Sequence, residues 1–312
     1  MNENKYIFIC GNRIALPVLR YLALSNQLAI LVMPRRRNVF VQEVQQLLKD
    51  SDIPIVLVTA KDFADTVQQA ILHYQPAAGF VFTCSYKIPA SVYALVPKGF
   101  YNIHPGALPA YRGPDPIFRQ LVHKEPYATI SIHQLDEGFD TGPVVITDKM
   151  RVSITDTYGM AAEKLGELAV QSLSTLLKIM AFGVQVPLKQ QDNSKAIFYP
   201  KQNAADVTIN WQTMDASSIT ALINACNPWN KGAVTGINEK IIRLMEATCE
   251  VAENTELQPG TICSINADGM KVAAVKGFVI IKLIYCNEGF LTPARLLSFG
   301  VQTGAQFCTI YV

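Results

Sequence analysis

An amide and an imidazole stand two residues apart at the end of the strand-like run 100–104. Because side chains alternate along a strand, Asn102 and His104 are expected on the same face. The glycine-bearing segment 135–142 follows and offers a carboxylate to the same crevice. Together these groups can donate a hydrogen bond to a developing oxyanion and move a proton, without a covalent nucleophile. The sequence therefore predicts an acid–base site built on Asn102, His104 and a carboxylate of the segment 135–142.

Short apolar runs alternate with helical patterns through the first 150 residues. Strands are predicted over Tyr6–Cys10, Leu28–Met33, Ile53–Val58, Gly79–Thr83, Phe100–His104 and Thr129–Leu135. Helices are predicted over Ile14–Leu24, Val39–Leu48, Phe63–Leu72 and, further on, Thr157–Met180. Continuous apolar strands separated by helices are typical of a parallel sheet covered on both faces. Right-handed crossovers make this a doubly wound, mostly parallel α/β sheet with its sites at the carboxyl ends of the strands.

A different pattern follows residues 183–204, a polar and proline-marked stretch that is predicted to be a linker. After it, Ser217–Cys226 has helical spacing. Short runs punctuated by glycines come next, over Ile241–Met245, Gly260–Ile265, Lys271–Ala274 and Gly277–Ile284. This spacing favours a smaller β-barrel of the OB type. The predicted organisation is a catalytic domain over 1–182 and a barrel-like domain over 205–312.

Composition and charge limit the classes of partner and cofactor that we expect. The 312 residues carry 27 Lys and Arg against 25 Asp and Glu, and this small excess does not indicate a nucleic-acid or membrane partner. The seven cysteines show no Cys-x-x-Cys spacing, so we expect reduced core residues and no metal site. A single glycine, Gly11, follows the first strand, so a nicotinamide cofactor is not expected. With no signal-peptide pattern and no run of 18 apolar residues, we expect a cytoplasmic protein.

Two motifs carry a resemblance to a known family. Residues 101–113 are Tyr-Asn-Ile-His-Pro-Gly-Ala-Leu-Pro-Ala-Tyr-Arg-Gly, and residues 136–142 are Asp-Glu-Gly-Phe-Asp-Thr-Gly. At this separation they resemble the folate-dependent formyltransferases, with a likeness that extends over residues 5–182. Asn210-Trp211 and residues 227–233 are similar to the C-terminal barrel of the methionyl-tRNA enzymes of that family. The resemblance implies a formyltransferase Rossmann-like fold and transfer of a formyl group from 10-formyltetrahydrofolate, a co-substrate, to a primary amine.

The resemblance implies that Asn102, His104 and Asp140 are catalytic. A neutral amine would attack the formyl carbon, and the Asn102 amide and a protonated His104 would donate to the oxyanion. Asp140 would keep His104 charged by raising its pKa, and would take or relay the proton that leaves the amine. The family also implies a cis Leu108–Pro109 bond. The remaining histidines are expected to be structural, namely His73, His123 and His133.

Two loops are implied to hold the folate through their backbone groups. The corresponding candidates for cofactor binding are Ser85, Tyr86, Lys87 and Ile88 in one loop and Glu137, Gly138 and Phe139 in the other. Lys87 stands where the tRNA enzymes usually have an apolar residue. Candidates for binding the acceptor are Gly11, Asn12 and Arg13, which open a helix whose N-terminus favours an anion, and Arg112 in the first motif.

The sequence leaves two classes of amine acceptor open. The methionyl-tRNA formyltransferases carry a basic insertion after the second strand, whereas here residues 34–39 pass directly into a helix. Residues 201–312 hold eight Lys and Arg against nine Asp and Glu, which are few cations for tRNA phosphates. These departures favour a small or carrier-linked amine, such as a nucleotide-linked amino sugar, over initiator methionyl-tRNA. A formyltetrahydrofolate hydrolase or a non-catalytic folate-binding module is a further alternative.

Overall fold

The computed structural model describes residues 2–35, 39–253 and 255–310. Its strands are Asn2–Cys10 (β1), Leu28–Pro34 (β2), Ile55–Val58 (β3), Pro76–Phe82 (β4), Phe100–His104 (β5), Tyr127–Gln134 (β6), Val144–Arg151 (β7), Ala233–Ile237 (β8), Lys240–Glu250 (β9), Ile262–Asn266 (β10), Gly269–Ala273 (β11), Phe278–Cys286 (β12) and Gly289–Leu291 (β13). Its α-helices are Leu16–Leu24 (α1), Val39–Leu47 (α2), Phe63–Tyr74 (α3), Ala90–Tyr93 (α4), Pro116–Val122 (α5), Tyr158–Ala181 (α6) and Ala216–Ala225 (α7). Arg36, Arg37 and Asn38, within the segment 34–39, lie outside the described residues.

The first sheet has the strand order β3-β2-β1-β4-β5-β6-β7. Every pair from β3 to β5 is parallel, which confirms the doubly wound α/β sheet that the alternating pattern predicts. All seven residues of β4 are buried, because this strand lies near the middle of the sheet. The core between the strands and α3 joins Ile7, Ile30, Phe63 and Phe100. Such burial explains why the central strands are continuous apolar runs rather than alternating ones.

β6 runs antiparallel to β5, so the loop that follows it does not begin at the carboxyl end of β5. Gln134, the last residue of β6, pairs with Tyr101 near the start of β5. The loop 135–143 then turns back, and the N–H of Gln134 donates to the carbonyl of Pro143 at 3.0 Å. Asp140 therefore belongs to a loop that returns from β6 toward β7.

The C-terminal sheet is antiparallel, with the order β10-β11-β12-β9-β8 and β13 paired with β12. One late segment bridges both of its edges, because Cys308 pairs with Gly236 in β8 and Gln306 pairs with Thr261 beside β10. The sheet thus closes on itself as a small β domain separate from the α/β sheet, as the spacing of the glycines predicts. Trp211 is fully buried inside it and stacks on Phe307.

The described residues form two compact bodies. One comprises residues up to Pro116 together with Thr129–Met150 and Glu163–Tyr199, and the other comprises Ile117–Ala128, Arg151–Ala162 and the described residues from Pro200 onward. In the second body, Arg119 pairs with Asp206 at 2.9 Å. The limits 1–182, 183–204 and 205–312 stay a prediction.

Candidate active site

β5 places Asn102 and His104 on one face, as the strand periodicity predicts. Its antiparallel pairing with β6 sets Asn102 opposite His133 and His104 opposite Ser131. His104 is only 4% exposed, while Asn102 is half-buried. The strand therefore presents an imidazole shielded from water beside an amide that is still accessible.

Asp140 completes the group by directing its carboxylate toward both side chains. One oxygen, Oδ1, accepts from Nδ2 of Asn102 at 3.2 Å and lies 3.4 Å from Nδ1 of His104. The other, Oδ2, accepts the backbone N–H of Gly113 at 3.0 Å. Asp140 has a φ of +57°, a left-handed conformation that an aspartate adopts more readily than most residues. The structure thus brings together the three residues that the sequence singled out.

Burial and neighbouring charges give His104 and Asp140 different protonation states. Burial lowers the pKa of His104, and this effect exceeds the opposing effects of Asp140 and of the Tyr111 carbonyl. Burial alone would raise the pKa of Asp140, but His104, His133 and the Gly113 N–H outweigh it and hold that pKa well below its usual range. Near neutral pH the pair is a carboxylate beside a neutral imidazole. This corrects the expectation that Asp140 raises the pKa of His104 enough to keep the ring charged.

The turn after β5 determines which ring nitrogen of His104 carries the proton. Nε2 lies 2.6 Å from the carbonyl oxygen of Tyr111, and because a carbonyl only accepts, we assign the proton to Nε2. Nδ1 is then unprotonated and faces Asp140. Only glycine fits at position 106, because a Cβ there would lie 2.7 Å from Nε2 of His104. The Leu108–Pro109 bond in this turn is cis, as the resemblance implies.

His133 joins the site, although the sequence suggested a structural role. Its Nε2 lies 3.2 Å from Nδ2 of Asn102 and 3.5 Å from Oδ1 of Asp140. The signal that could have found it is the alternation along β6, which puts Ser131 and His133 on one face. Ser131 supports the same turn, since its hydroxyl donates to the Gly106 carbonyl at 2.7 Å.

The two predicted folate loops lie next to each other. Nζ of Lys87 is 5.7 Å from the ring centre of Phe139, which is 57% exposed. Tyr86 packs on Phe63 of α3 at 5.1 Å between ring centres, and Ile88 is buried. Three further candidates are exposed, namely Ser85, Glu137 and Gly138. The loops offer backbone groups at their surface, and their role in folate binding stays a prediction.

The predicted acceptor residues already have partners within the chain. The N–H groups of Gly11 and Asn12 both donate to Oγ1 of Thr83 at 3.2 Å. Arg13 forms an ion pair with Glu43. The guanidinium of Arg112 is bound by two amide side chains, Gln191 and Asn193. Acceptor binding by these residues stays a prediction.

Among residues 2–35, 39–253 and 255–310, no group of three or more His, Cys, Asp and Glu side chains could hold a metal ion. Within the same ranges no helix has the length and apolar character needed to cross a membrane.

Comparison with known proteins places this chain in a family. Residues 19–177 match the family model described as formyl transferase, and residues 201–294 match its C-terminal domain. The chain belongs to the formyl transferase family. It is 32% identical over 251 residues to the methionyl-tRNA formyltransferase of Nitrosococcus oceani, covering 77% of this chain and 76% of that protein. It is 29% identical over 280 residues to that of Kosmotoga olearia, covering 86% and 88%.

Solved structures share the fold of this formyltransferase at low identity. HypX from Aquifex aeolicus in complex with tetrahydrofolic acid superposes with a TM-score of 0.66 at 18% identity, covering 99% of this chain and 51% of that one. An N-formyltransferase from Helicobacter canadensis in complex with folinic acid and dTDP-3-aminofucose gives 0.63 at 16% identity, with 88% and 97% covered. The sugar 3N-formyl transferase WlaRD, solved with dTDP and 5-N-formyl-THF, gives 0.63 at 15% identity, with 89% and 97% covered.

Proposed function

We propose that this formyltransferase moves the formyl group of 10-formyltetrahydrofolate to a primary amine on a small or carrier-linked acceptor, such as a nucleotide-linked amino sugar. The observation that supports this reaction is that Asn102 and His104 both lie within 3.4 Å of one carboxylate oxygen of Asp140. An amide donor, a neutral imidazole and a carboxylate are the groups that an amine-to-carbonyl transfer needs. Folate is supported as co-substrate by the solved structures of this fold that contain folates.

The proposed mechanism begins with attack of the neutral amine on the formyl carbon. The formyl oxygen gains negative charge and accepts a hydrogen bond from Nδ2 of Asn102, which gives up its contact with Nε2 of His133. Nδ1 of His104 takes the proton that the amine releases. The imidazolium that forms is stabilised by Asp140 at 3.4 Å. The bond from the carbon to N10 of the folate then breaks, N10 takes the proton, and tetrahydrofolate leaves. A histidine that is neutral in the free protein suits this first step.

Charge supports a small acceptor. Residues 201–312 have a net charge of −1, and part of their positive charge is already committed. Lys271 pairs with Glu250, and the amine of Lys231 binds the hydroxyl of Tyr285 at 2.9 Å. Binding of tRNA depends on the release of counterions by free Lys and Arg. A nucleotide-linked amine presents only one or two phosphates and makes no such demand.

Initiator methionyl-tRNA is the second candidate. It is favoured by the extent of the match, because the methionyl-tRNA formyltransferase of Kosmotoga olearia aligns along 88% of its length, through both matched domains.

The test is a comparison of two acceptors, dTDP-linked 3-amino sugar and initiator methionyl-tRNA, each with 10-formyltetrahydrofolate at low and high salt. The proposal predicts efficient transfer to the amino sugar with little dependence on salt. Efficient transfer to the tRNA alone, with a rate that falls steeply as salt rises, would contradict the small-acceptor proposal and establish the second candidate.

A further inference from the structure

The stretch 189–199, part of the predicted linker, is hydrogen-bonded at one end beside the Asp140 loop and at the other to the turn that follows β5. We call it the 189–199 strap. At one end Lys189 exchanges two backbone hydrogen bonds with Val144, at 2.8 and 2.9 Å. At the other end the N–H of Arg112 donates to the Ile197 carbonyl at 3.0 Å, and the N–H of Tyr199 donates to the Arg112 carbonyl at 2.9 Å. The strap thus connects the Asp140 loop with the turn that follows β5.

Gln191 is the side chain of the strap that reaches the Asp140 loop. Its Nε2 donates to the carbonyl of Asp140 at 2.9 Å and to the carbonyl of Gly142 at 2.7 Å. Its Oε1 accepts from Nε and Nη2 of Arg112, at 3.2 and 2.8 Å. Both N–H groups of the Gln191 amide are therefore hydrogen-bonded, and its oxygen accepts two hydrogen bonds.

Arg112 dictates which way this amide points. A guanidinium only donates, so it must face the oxygen of Gln191, and the NH2 group is then turned toward the loop. Nη2 of Arg112 also donates to Oδ1 of Asn193 at 2.8 Å, which holds the guanidinium in place. The two carbonyls that Gln191 binds belong to the residues on either side of Thr141. One of these residues is Asp140, whose φ is +57°. They fix the loop backbone where the carboxylate of Asp140 must project toward His104.

We propose that Gln191 is a positioning residue for formyl transfer, which holds the Asp140 loop so that its carboxylate faces the His104 imidazole. The assignment rests on the proposed function, because positioning has a catalytic consequence only if Asp140 serves the transfer. It gives the predicted linker a role in the active site.

The first test compares Gln191→Met with Gln190→Met. The methionine is similar in length but cannot donate, and the neighbouring Gln190 is exposed, so it is a matched control. For Gln191→Met we expect kcat to fall by about 10- to 100-fold, because misplacement of a catalytic group by ~1 Å has an effect of that order. The control should transfer at the wild-type rate.

The second readout is the titration of His104 by NMR, which is tractable because the chain has four histidines. The Asp140 carboxylate raises the pKa of His104 against the effect of burial. If Gln191→Met lets the carboxylate move away, the His104 titration shifts to lower pH. A purely structural role would lower the melting temperature without moving this titration, and an unchanged titration together with an unchanged kcat overturns the proposal.

A further variant covers the case in which Gln191→Met does not fold. Gln191→Glu keeps the size of the side chain and its acceptor for Arg112 but removes both donors to the loop. The same fall in kcat is expected, and full activity overturns the proposal. If the wild-type protein transfers no formyl group to any acceptor, the proposed function fails instead, while the His104 titration still tests the positioning by Gln191.

Discussion

Nδ1 of His104 lies 3.4 Å from Oδ1 of Asp140, in surroundings where the imidazole is almost completely excluded from water. The opposite ring nitrogen is bound to the Tyr111 carbonyl at 2.6 Å, so Nδ1 is the atom that can gain a proton. Burial keeps the ring neutral, and Asp140 stabilises the charge once it forms. In the proposed mechanism the pair accepts a proton during the reaction rather than carrying one beforehand.

Asp140→Asn tests this arrangement with a side chain of nearly the same shape. The amide oxygen can still accept from Gly113, but it cannot balance an imidazolium. We expect kcat to fall by about 10²- to 10⁴-fold, the usual contribution of acid–base catalysis. The dissociation constant for folinic acid, measured by calorimetry, should stay close to the wild-type value. A wild-type kcat in this variant would exclude Asp140 from the proton transfer.

The pH dependence of stability follows from the lowered pKa of His104. In the unfolded chain this imidazole binds a proton near its ordinary value of 6.5, whereas the folded protein keeps it neutral to lower pH. Below pH 6.5 the unfolded state therefore holds more protons, and the free energy of unfolding falls as pH decreases. We expect a loss of the order of 1 kcal/mol between pH 7 and 5.

Urea denaturation of wild-type protein and of His104→Gln at several pH values measures that loss. The glutamine variant should show a shallower decline over this range. Asp140 contributes in a separate range, below its ordinary value of 3.8, because its pKa is lowered and its stabilisation is lost only as the carboxylate is protonated. Parallel curves for the two proteins between pH 7 and 5 would show that His104 is not held neutral by the fold.

Gly106→Ala tests the turn that clamps the imidazole. A Cβ at position 106 would lie 2.7 Å from Nε2 of His104 and 2.9 Å from the Tyr111 carbonyl, and both contacts are shorter than real Cβ atoms show. The ring or the turn must shift, so we expect at least a tenfold loss of kcat and about 1–3 kcal/mol of lost stability. Steady-state kinetics and thermal melting measure the two effects. Wild-type kinetics would mean that the position of the ring is not critical.

The sequence predicted β5 with its observed limits, Phe100–His104. It also predicted the pairing of an amide and an imidazole on one face, which needs only the alternation of a strand. His133 was missed because alternation along β6 shows only which face it lies on, whereas its contact with Asn102 depends on the antiparallel register of β5 and β6.

Other features were missed because their determinants are long-range or weak. Gln191 lies in a polar, proline-marked stretch, and its bonds span 49 to 79 residues along the chain. β7 was missed because it is the edge strand of the sheet and half-exposed. Its apolar run is only three residues long, 144–146, and polar and charged residues follow. The lowered pKa of His104 depends on its burial in the folded site, which the charge of Asp140 in the sequence could not reveal.

Lys87→Met tests the contact between the two predicted folate loops. The Lys87 ammonium lies 5.7 Å from the centre of the Phe139 ring, and an exposed cation–π contact of this kind contributes about 0.5–1 kcal/mol. If the contact holds the loops in place for folate, the dissociation constant for folinic acid should rise by about two- to fivefold. Lys61→Met, at an exposed lysine outside both loops, is the control. Equal dissociation constants for folinic acid in the two variants would show that this contact does not contribute to folate binding.

The most direct measurement follows a ¹³C-labelled formyl group from 10-formyltetrahydrofolate onto the amine of an acceptor, by mass spectrometry, with wild-type protein, Asn102→Ala and His104→Gln. We predict that the wild-type protein labels the amine nitrogen and releases tetrahydrofolate in equal amount. Each variant should be slower by about 10²-fold or more while still binding folinic acid. Transfer at the wild-type rate by both folded variants would contradict the assignment of Asn102 and His104 as the groups that carry out the reaction.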